Sequence, residues 1–465
     1  PVDQIFLWLE KRQQPMHVAG LQLFEFPEDA GPHYVAELAQ WLRQFSKPAP
    51  PFNQRIVTKF GQPFWEDDRQ FDLEHHFRHE ALPTPGRIRE LLALVSAEHS
   101  NLMDRERPLW EYHLIEGLQG RRFAVYSKIH HSLVDGISAM RLGMRALSTD
   151  PDERDLPPVW ARHQKKKEGG IPNPLDVASS MARLTAGLSK QLATIPTVAR
   201  EVYKATEKAK SDPNYVSVFQ APHCVLNERI TGSRRFAAQS YPMQRIRDIA
   251  KAFGATINDV VLAICGSALR NYLINQRGLP DKPLIAMVPM SLRQDESAIG
   301  NQIAMILANL GTHIADPADR LQVIRASVQD AKERFAGMSP EEITNYTALT
   351  LAPTGLTLMT GLAPSWLAFN VVISNVPGPK ETLYWNGARL QGMYPVSIAL
   401  DHIALNITIT SYADQLEFGL IACRRTLPSM QRMLSYLENG LNELEIAADI
   451  LSGDTDEEEE RLIHI

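Results

Sequence analysis

Apolar residues recur along the first third of the chain with two spacings, which predict short strands between amphipathic helices. Within residues 137–147, Ile137, Met140, Met144 and Leu147 recur at helical spacing and share one face. The run HVAGLQLFEF at 17–26 is typical of a strand. On such patterns we predict strands at 17–26, 110–115 and 123–129, and helices at 34–45, 87–103 and 137–147.

The second half of the chain repeats this mixture of strands and helices. Two apolar runs near the end are separated by residues 413–415 alone, which predicts a hairpin. The alternation favours an α/β or mixed α+β fold in two halves of similar size. The predicted strands are 235–241, 284–289, 366–374, 403–412 and 416–423, and the predicted helices are 243–253, 256–275, 317–335 and 427–446.

A proline-rich and basic stretch separates the two halves. The chain has 465 residues, more than one ordinary hydrophobic core accommodates, so two domains are expected. Pro151, Pro157 and Pro158 interrupt the chain, and one or two helices are predicted at 181–210. We therefore predict a first half at 1–150, a basic helical linker at 151–222, a second half at 223–453 and an acidic tail at 454–465.

The formal net charge of -6 is unevenly distributed. Residues 454–465 hold six acids and one base, a net of -5, so the rest of the chain carries only -1. Residues 161–210 hold ten bases and four acids, a net of +6. This balance argues against nucleic acid as a partner. The basic stretch is a solvated linker or a contact for anionic membranes or coenzyme phosphates, and we expect a flexible, solubilising tail.

Cysteine usage and apolar segments suggest where the protein works. Cys224, Cys265 and Cys423 are too few and too far apart for a disulfide framework, which favours a reducing cytoplasm. The opening residues PVDQI lack the pattern of a signal peptide. Residues 343–379 contain no Asp, Glu, Lys or Arg, but prolines and glycines interrupt them. That segment is core packing or the wall of an apolar substrate tunnel.

The sequence HHSLVDG at 130–136 carries the most specific chemistry in the chain. It follows a predicted strand and precedes a predicted helix, a position at which α/β proteins place functional side chains. His131 and Asp135 are four residues apart, so a tight turn brings them close together, and Gly136 permits a sharp entry into the helix. Histidine accepts a proton near neutral pH. The alternative is a structural His–Asp pair that caps the helix.

These residues resemble the active-site motif of the bacterial wax ester synthase/diacylglycerol acyltransferase family, within the coenzyme A-dependent acyltransferase superfamily that shares HxxxD. Further elements follow in family order. Residues 15–18 (PMHV), Pro108-Leu109-Trp110, Asn258-Asp259 and the turn SNVPGP at 374–379 look like the family's other motifs. The resemblance spans residue 15 to about residue 425. The lysine run and the acidic tail match no motif of this family.

The resemblance implies a two-domain fold like that of chloramphenicol acetyltransferase, with a mixed sheet flanked by helices in each half. A tunnel between the halves would hold His131 near its middle as the general base. Asp135 would keep the loop in shape, and His130 and Gly136 would take lesser roles. The substrate-binding residues implied by the other motifs are Pro108, Leu109, Trp110, Asn258, Asp259 and Asn375.

Each of these substrate-binding residues also has a structural interpretation. A buried tryptophan such as Trp110 usually packs in a core. Thr256 followed by Asp259 can form a helix N-terminal cap. Asn375 stands in a proline- and glycine-rich segment that forms a turn by its chemistry alone.

The implied activity is transfer of a long acyl group from acyl-CoA to a fatty alcohol, with diacylglycerol as a second acceptor. Acyl-CoA is then a co-substrate, and neither a bound cofactor nor a metal is expected. Weak peripheral contact with a membrane or lipid droplet is expected because both acceptors are lipids. Three alternatives stay open: a related enzyme with another donor or acceptor, a non-catalytic lipid-binding relative, and a hydrolase, which the missing GxSxG motif disfavours.

Overall fold

The computed structural model describes residues 4–59, 62–134, 136–162, 200–212, 214–217, 219–291, 303–360 and 367–463. Fourteen strands lie in these ranges. They are β1 (His17–Glu25), β2 (Gln54–Lys59), β3 (Gln62–Asp67), β4 (Phe77–Ala81), β5 (Trp110–Leu118), β6 (Arg122–His130), β7 (Arg234–Pro242), β8 (Ile285–Ser291), β9 (Ile303–Asn309), β10 (Val371–Val376), β11 (Tyr384–Trp385), β12 (Ala388–Val396), β13 (Leu405–Tyr412) and β14 (Gln415–Cys423).

Ten helices accompany these strands in the described part of the chain. They are α1 (Gln4–Leu9), α2 (Tyr34–Arg43), α3 (Ile88–Glu98), α4 (Gly136–Arg145), α5 (200–211), α6 (Met243–Ala252), α7 (Ile257–Asn275), α8 (Pro317–Ala336), α9 (Pro340–Thr360) and α10 (Arg432–Ile463). The mixed α/β class in two parts is therefore confirmed.

Two six-stranded sheets organise the molecule. The first has the order β11-β12-β1-β6-β5-β4, and only β4 and β5 run parallel to each other. An aromatic core that includes Trp110, Trp160 and Trp385 covers one of its faces. The second sheet has the order β7-β14-β13-β10-β8-β9, with β10 parallel to both neighbours. Its main core packs against α6, α7, α8 and α10.

The first sheet contains strands from both ends of the chain. β11 and β12 belong to the range 223–453, yet they pair at the edge of the first sheet beside β1. β12 also packs on β14 of the second sheet. There Gly419 allows very close contact, because a Cβ atom at this position would lie 1.9 Å from the backbone oxygen of Pro395. The predicted boundary at residue 223 stays a prediction, and it does not separate the two sheets.

Most predicted elements are confirmed with small shifts at their ends, but several are missing or misplaced. Strands β2, β3, β4, β9, β11 and β12 were not predicted. The apolar segment 343–379 contains most of α9 and all of β10. The final helix extends to Ile463, so the backbone of the acidic tail is helical up to that residue, and the expected flexibility of the tail stays a prediction. Residues 181–199 of the predicted linker helices, and Lys165 to Lys167, lie outside the described residues.

Helix α7 and the three cysteines are relevant to the cellular compartment that the sequence predicts. Of the described helices, α7 alone is long and apolar enough to cross a bilayer, and 72% of its apolar window is buried inside the protein. Its buried side chains form the centre of the second core. Cys224, Cys265 and Cys423 are all free of disulfides, as predicted.

Candidate active site

His131 stands in a tight turn between the end of β6 and the start of α4. The turn is fixed by backbone hydrogen bonds, because the amide of His131 donates to the oxygen of Met16 at 2.9 Å and that of Leu133 to His130 at 2.9 Å. The imidazole of His131 stacks on the ring of Phe6 in α1, with ring centroids 3.9 Å apart. Backbone and ring contacts together define the direction of this side chain.

A cavity of about 330 Å³ lies between the two sheets, with His131 in its wall. The first sheet contributes residues 18–22 of β1, Ser127 and Ile129 of β6, and residues 393–396 of β12. The second sheet contributes side chains of β8, β9, β10 and β13, and α4 contributes Ala139 and Met140. Most of this wall is apolar. The expected tunnel between the halves thus corresponds to an apolar cavity that contains the motif histidine.

The second sheet adds a row of hydroxyl and amide groups to this apolar wall. Ser374 of β10 lies beside Thr408 of β13, and all of Ser374, Asn406, Thr408 and Thr410 line the cavity. Successive side chains of a strand point to opposite faces, so Asn375 points away from the cavity that Ser374 and Val376 line. Asn375 was predicted to contact substrate, and that stays a prediction; its neighbour Ser374 lines the cavity and Asn375 does not.

His130 lies beside the catalytic candidate but points into the protein. It is 1% exposed. The backbone N–H of Ser132 donates to its Nδ1 at 3.1 Å, so Nδ1 is the acceptor and the proton belongs on Nε2. Nε2 lies 3.3 Å from a carboxylate oxygen of Glu10, which is itself buried. His130 therefore joins the catalytic turn to the segment that follows α1 and does not line the cavity.

Glu10 is a buried acid that lies beside both His130 and Arg105. Burial raises the pKa of its carboxyl, but the contacts with His130, the Met16 amide and Arg105 bring that pKa below its ordinary value. The Met16 amide donates to Glu10 at 3.1 Å and the Arg105 guanidinium at 3.0 Å. Glu10 was not singled out in the sequence, although it stands five residues before the PMHV segment.

Pro108, Leu109 and Trp110 support the site from outside the cavity. The oxygen of Leu109 accepts the amide of His130 at 3.0 Å, which ties this motif to the end of β6. The indole N–H of Trp110 donates to the oxygen of Phe52 at 2.8 Å, and its ring stacks on those of His76 and Trp160. None of the three motif residues lines the cavity. Packing accounts for their positions.

Asn258 and Asp259 were predicted to bind substrate. Both lie in the first turn of α7. The side chain of Asp259 accepts hydrogen bonds from the backbone N–H of Thr256 at 2.9 Å and from its hydroxyl at 2.7 Å, while Thr256 Oγ1 accepts the Asp259 N–H. This is a capping box. Neither residue lines the cavity. Of the remaining motif residues, Gly136 begins α4, and Asp135 lies outside the described residues.

One cluster in the described part of the chain has the composition of a metal site. Ligand atoms of Glu98, Glu111 and His113 lie within 4.8 Å of one another. The ammonium of Lys128, however, is 2.7 Å from Glu111, and Glu80 lies 2.9 Å from His113. Burial raises the pKa of Glu111, but His113 and Lys128 bring it down to about 2. Lys128 already supplies the cationic partner, so we interpret the cluster as an internal ion network.

Several wall residues were missed, although the sequence holds a signal for some of them. Asn406, Thr408 and Thr410 recur at every second position of an otherwise apolar strand, NITIT. Polar side chains on one face of a buried strand indicate that this face does not pack in the hydrophobic core. Phe6 had no such signal, because only the folded position of α1 brings it onto His131.

Two sheets joined through β12, with a histidine of an HxxxD motif facing the cavity between them, define the architecture of an HxxxD acyltransferase. A family model described as the wax ester synthase/diacylglycerol acyltransferase catalytic domain matches residues 1–261, and one for the C-terminal domain of these enzymes matches residues 299–445. The chain belongs to the wax ester synthase/diacylglycerol acyltransferase family.

Curated and solved relatives cover nearly the whole chain. It is 52% identical to the O-acyltransferase WSD of Acinetobacter baylyi over 94% of each chain. A solved wax ester synthase/diacylglycerol acyltransferase from Marinobacter aquaeolei is 57% identical, with a TM-score of 0.80 over 97% of this chain and 98% of that one. The first condensation domain of the calcium-dependent antibiotic synthetase shares the fold at 15% identity, with a TM-score of 0.59 over 96% of this chain and 94% of that one.

Proposed function

We propose that this protein transfers long acyl groups from acyl-CoA to fatty alcohols, which yields wax esters, and to diacylglycerol, which yields triacylglycerol. The observation that carries the proposal is the position of His131 in the wall of an apolar cavity enclosed by both sheets. The similarity to enzymes named as wax ester synthases and O-acyltransferases supports the same chemistry. Acyl-CoA acts as a co-substrate in this scheme.

His131 is the general base of the proposed reaction. Its imidazole accepts the hydroxyl proton of the alcohol while the alcohol oxygen forms a bond to the thioester carbonyl carbon. The tetrahedral intermediate collapses as the carbon–sulfur bond breaks, and the coenzyme A thiolate recovers the proton from the imidazolium. The stacked ring of Phe6 holds the imidazole in one plane. Alignment of both substrates in one cavity supplies much of the rate.

The remaining motif residues take positioning roles in this proposal. His130 and Leu109 fix the end of β6, and Asp135 is proposed to hold the turn that follows. Ser374 and Thr408 replace Asn375 as the polar groups nearest the substrates. Asn258 and Asp259 order the start of α7. Catalysis itself is assigned to His131 alone.

A His131→Ala variant tests the assignment. Loss of the general base is expected to lower ester formation from palmitoyl-CoA and hexadecanol by a factor of about 10² to 10⁴, since that is the usual contribution of such a group. Ester and free thiol are measured together, and thermal unfolding shows that the fold persists. The matched control is His223→Ala, which removes an exposed histidine away from the cavity.

Product analysis separates the alternatives to this function. Free fatty acid in place of ester identifies a hydrolase. Absence of thiol release with acyl-CoA of every chain length identifies another donor. Full turnover by the His131→Ala variant shows that the catalytic assignment is wrong.

We also propose that the protein works in the cytoplasm and attaches weakly to a lipid surface. The disulfide-free state of all three cysteines supports a reducing compartment. Both proposed acceptors are insoluble lipids, which favours contact with the membrane or droplet that holds them. Large apolar side chains that are exposed among the described residues, above all Trp8, could make that contact.

A further inference from the structure

The segment that precedes β1 fixes the position of His131. The oxygen of Met16 accepts the amide of His131 at 2.9 Å, and the ring of Phe6 stacks on its imidazole with centroids 3.9 Å apart. Both contacts come from one short stretch of chain, residues 6–16. The structure of that stretch therefore decides the direction in which the ring of His131 points.

Glu10 connects these two contacts. Its backbone N–H donates to the oxygen of Phe6 at 3.1 Å at the end of α1, and its carboxylate oxygen Oε2 accepts the amide of Met16 at 3.1 Å. One residue thus holds both the helix that carries the stacking ring and the residue whose oxygen accepts the amide of His131. A displacement of Glu10 would move both contacts together.

The same carboxylate oxygen also reaches the neighbours of His131 in the turn. Oε2 of Glu10 lies 3.3 Å from Nε2 of His130, and Nδ1 of that ring accepts the amide of Ser132 at 3.1 Å. Glu10 is therefore linked to the residues before and after His131, and through Met16 to His131 itself. All three residues of the turn are connected to one oxygen atom.

The second carboxylate oxygen of Glu10 is held by Arg105. Two nitrogens of the guanidinium donate to Oε1 at 3.1 and 3.0 Å, and one of them also donates to the oxygen of Leu7 in α1 at 2.7 Å. Charge-assisted hydrogen bonds of this kind are stronger than neutral ones. The side chain of Glu10 is 4% exposed, and with Oε1 fixed by Arg105, Oε2 faces the catalytic turn.

This position of Glu10 is compatible with two roles. Glu10 does not line the cavity, so it does not touch the substrates and is not itself the base. One role is an ion pair with Arg105 that stabilises the fold without regard to the reaction. The other is to hold His131 in the direction that the reaction needs. Both contacts of Oε2, with Met16 and with His130, lead to the catalytic turn, which favours the second role.

We propose that Glu10 is a positioning residue for the acyl transfer, whose carboxylate holds Met16, His130 and α1 so that the imidazole of His131 points at the alcohol hydroxyl. This inference rests on the proposed function. A general base works only within hydrogen-bond reach of the proton that it accepts. A displacement of about 1 Å, even from a substitution away from the reacting atoms, lowers a rate by up to roughly 10²-fold.

The first test separates kcat from KM. Glu10→Ala is assayed with palmitoyl-CoA and hexadecanol, and the concentration of each substrate is varied in turn. We expect kcat to fall about 10²-fold because His131 loses its alignment, while both KM values stay unchanged because the cavity wall is intact. Glu10→Gln keeps an acceptor oxygen for the Met16 amide, so its kcat should fall less than that of the alanine variant.

A double variant distinguishes positioning from a structural role. If Glu10 acts through His131, Glu10→Ala should lower turnover no further in a chain that already carries His131→Ala. A structural effect would lower turnover by the same factor in both backgrounds. The same cycle with Glu10→Gln decides the question if the alanine variant does not fold, which thermal unfolding shows.

Glu443 offers a matched control. Its carboxylate accepts the hydroxyl of Ser267 at 2.9 Å and the guanidinium of Arg320 at 3.2 Å, so it also joins an arginine to a second donor. None of these three residues lines the cavity. Glu443→Gln breaks an ion pair of the same kind and should leave kcat unchanged.

Three results would overturn the proposal for Glu10. The first is an unchanged kcat in both single variants. The second is an equal loss of turnover with and without His131, which indicates a structural role. The third is a higher KM with an unchanged kcat, which assigns Glu10 to the shape of the cavity. Failure of the wild type with every acyl-CoA would instead reject the proposed function itself.

Discussion

Two adjacent histidines have opposite surroundings, and this contrast separates their roles. His131 faces the apolar cavity, whereas His130 is buried against Glu10. The motif HxxxD predicted that His131 is the base, and the structure places its ring in the wall of the cavity between the two sheets. Its assignment as catalytic stays a prediction until a variant is assayed.

Other site residues could not be identified from motifs alone, because the face of a strand depends on its register. Asn375 and Ser374 are neighbours, and the pairing of β10 with β13 decides that Ser374 lines the cavity. Trp110 is similarly ambiguous in sequence, since an aromatic side chain serves a core or a ligand equally well. The side-chain contacts of Trp110 with Phe52 and His76 show that it packs in the aromatic core, and its contact with substrate stays a prediction.

Glu417 is a fully buried carboxyl that makes stability depend on pH. It accepts a hydrogen bond from Ser240 at 2.5 Å, and Ser240 also bonds the hydroxyl of Tyr394 at 2.9 Å, which links the two sheets. Burial raises the pKa of Glu417 to about 7, and the hydrogen bonds of Ser240 and Tyr394 only partly oppose this. The folded state therefore keeps a proton on Glu417 at pH values at which the unfolded chain has lost it.

A Glu417→Gln variant should remove this pH dependence. Between about pH 4.5 and pH 7 the folded protein binds more protons than the unfolded chain, so the stability of the wild type falls as pH rises. Relative to the variant, the wild type is expected to lose about 3 kcal/mol in total, at up to about 1.4 kcal/mol per pH unit, with the loss complete near pH 8. Urea unfolding from pH 4.5 to pH 8 measures the difference, and parallel curves would contradict a buried neutral Glu417.

Helices and strands with a strong local periodicity of apolar residues were predicted from the sequence. Strands that form only because they pair with distant parts of the chain were not. Helix α6 begins at Met243 and ends one residue before its predicted end. β12 was missed because its sequence, ARLQGMYPV, contains glycine and proline and becomes a strand through pairing with β1. β9 was missed although IAMILAN is apolar, since a short apolar run does not distinguish a strand from a helix.

The contact between β12 and β14 predicts a sensitive position in the fold. A methyl group at Gly419 would lie 1.9 Å from the oxygen of Pro395, and neither backbone can move without shifting its sheet. Gly419 also pairs with Thr408, which lines the cavity. We expect Gly419→Ala to lower the free energy of unfolding by about 2 to 3 kcal/mol, as overpacking does, and to lower turnover as well.

Gly355 offers the matched control for this substitution. It lies within α9, and a Cβ atom there would meet nothing within 4 Å. Gly355→Ala should therefore leave stability unchanged or raise it by up to about 1 kcal/mol through helix propensity. Chemical denaturation of both variants gives the comparison. Equal stability of the Gly419 and Gly355 variants would show that the two sheets tolerate separation at β12.

At the scale of the whole molecule, the cavity exists only because two parts of the chain are interleaved. The number of halves and the position of the catalytic motif between them could be predicted from length, linker composition and HHSLVDG. The return of β11 and β12 to the first sheet could not be predicted from the sequence, because strand order depends on pairing between residues hundreds of positions apart. That return places Met393 and Val396 in the cavity wall.

One side of the molecule carries exposed aromatic residues close to the catalytic turn. Trp8 of α1 is 64% exposed, and Phe64 and Trp65 of the β2–β3 hairpin are 49% and 40% exposed. Ile56 of that hairpin packs on the cluster that contains Leu7 of α1, so the hairpin and the helix are neighbours. Because α1 also stacks Phe6 on His131, a lipid surface that met this side would lie near the active site.

This arrangement predicts that the aromatic side binds lipid. The variant Trp8→Ser/Phe64→Ser/Trp65→Ser should bind phosphatidylcholine vesicles at least tenfold more weakly in flotation, since each buried aromatic side chain contributes about 1.5 to 3 kcal/mol. Turnover of a soluble short-chain alcohol should be unchanged, because the cavity is untouched. Tyr203→Ser removes an aromatic that is 67% exposed on α5 and should bind vesicles like the wild type. Equal vesicle binding by all three proteins would show that another surface meets the lipid.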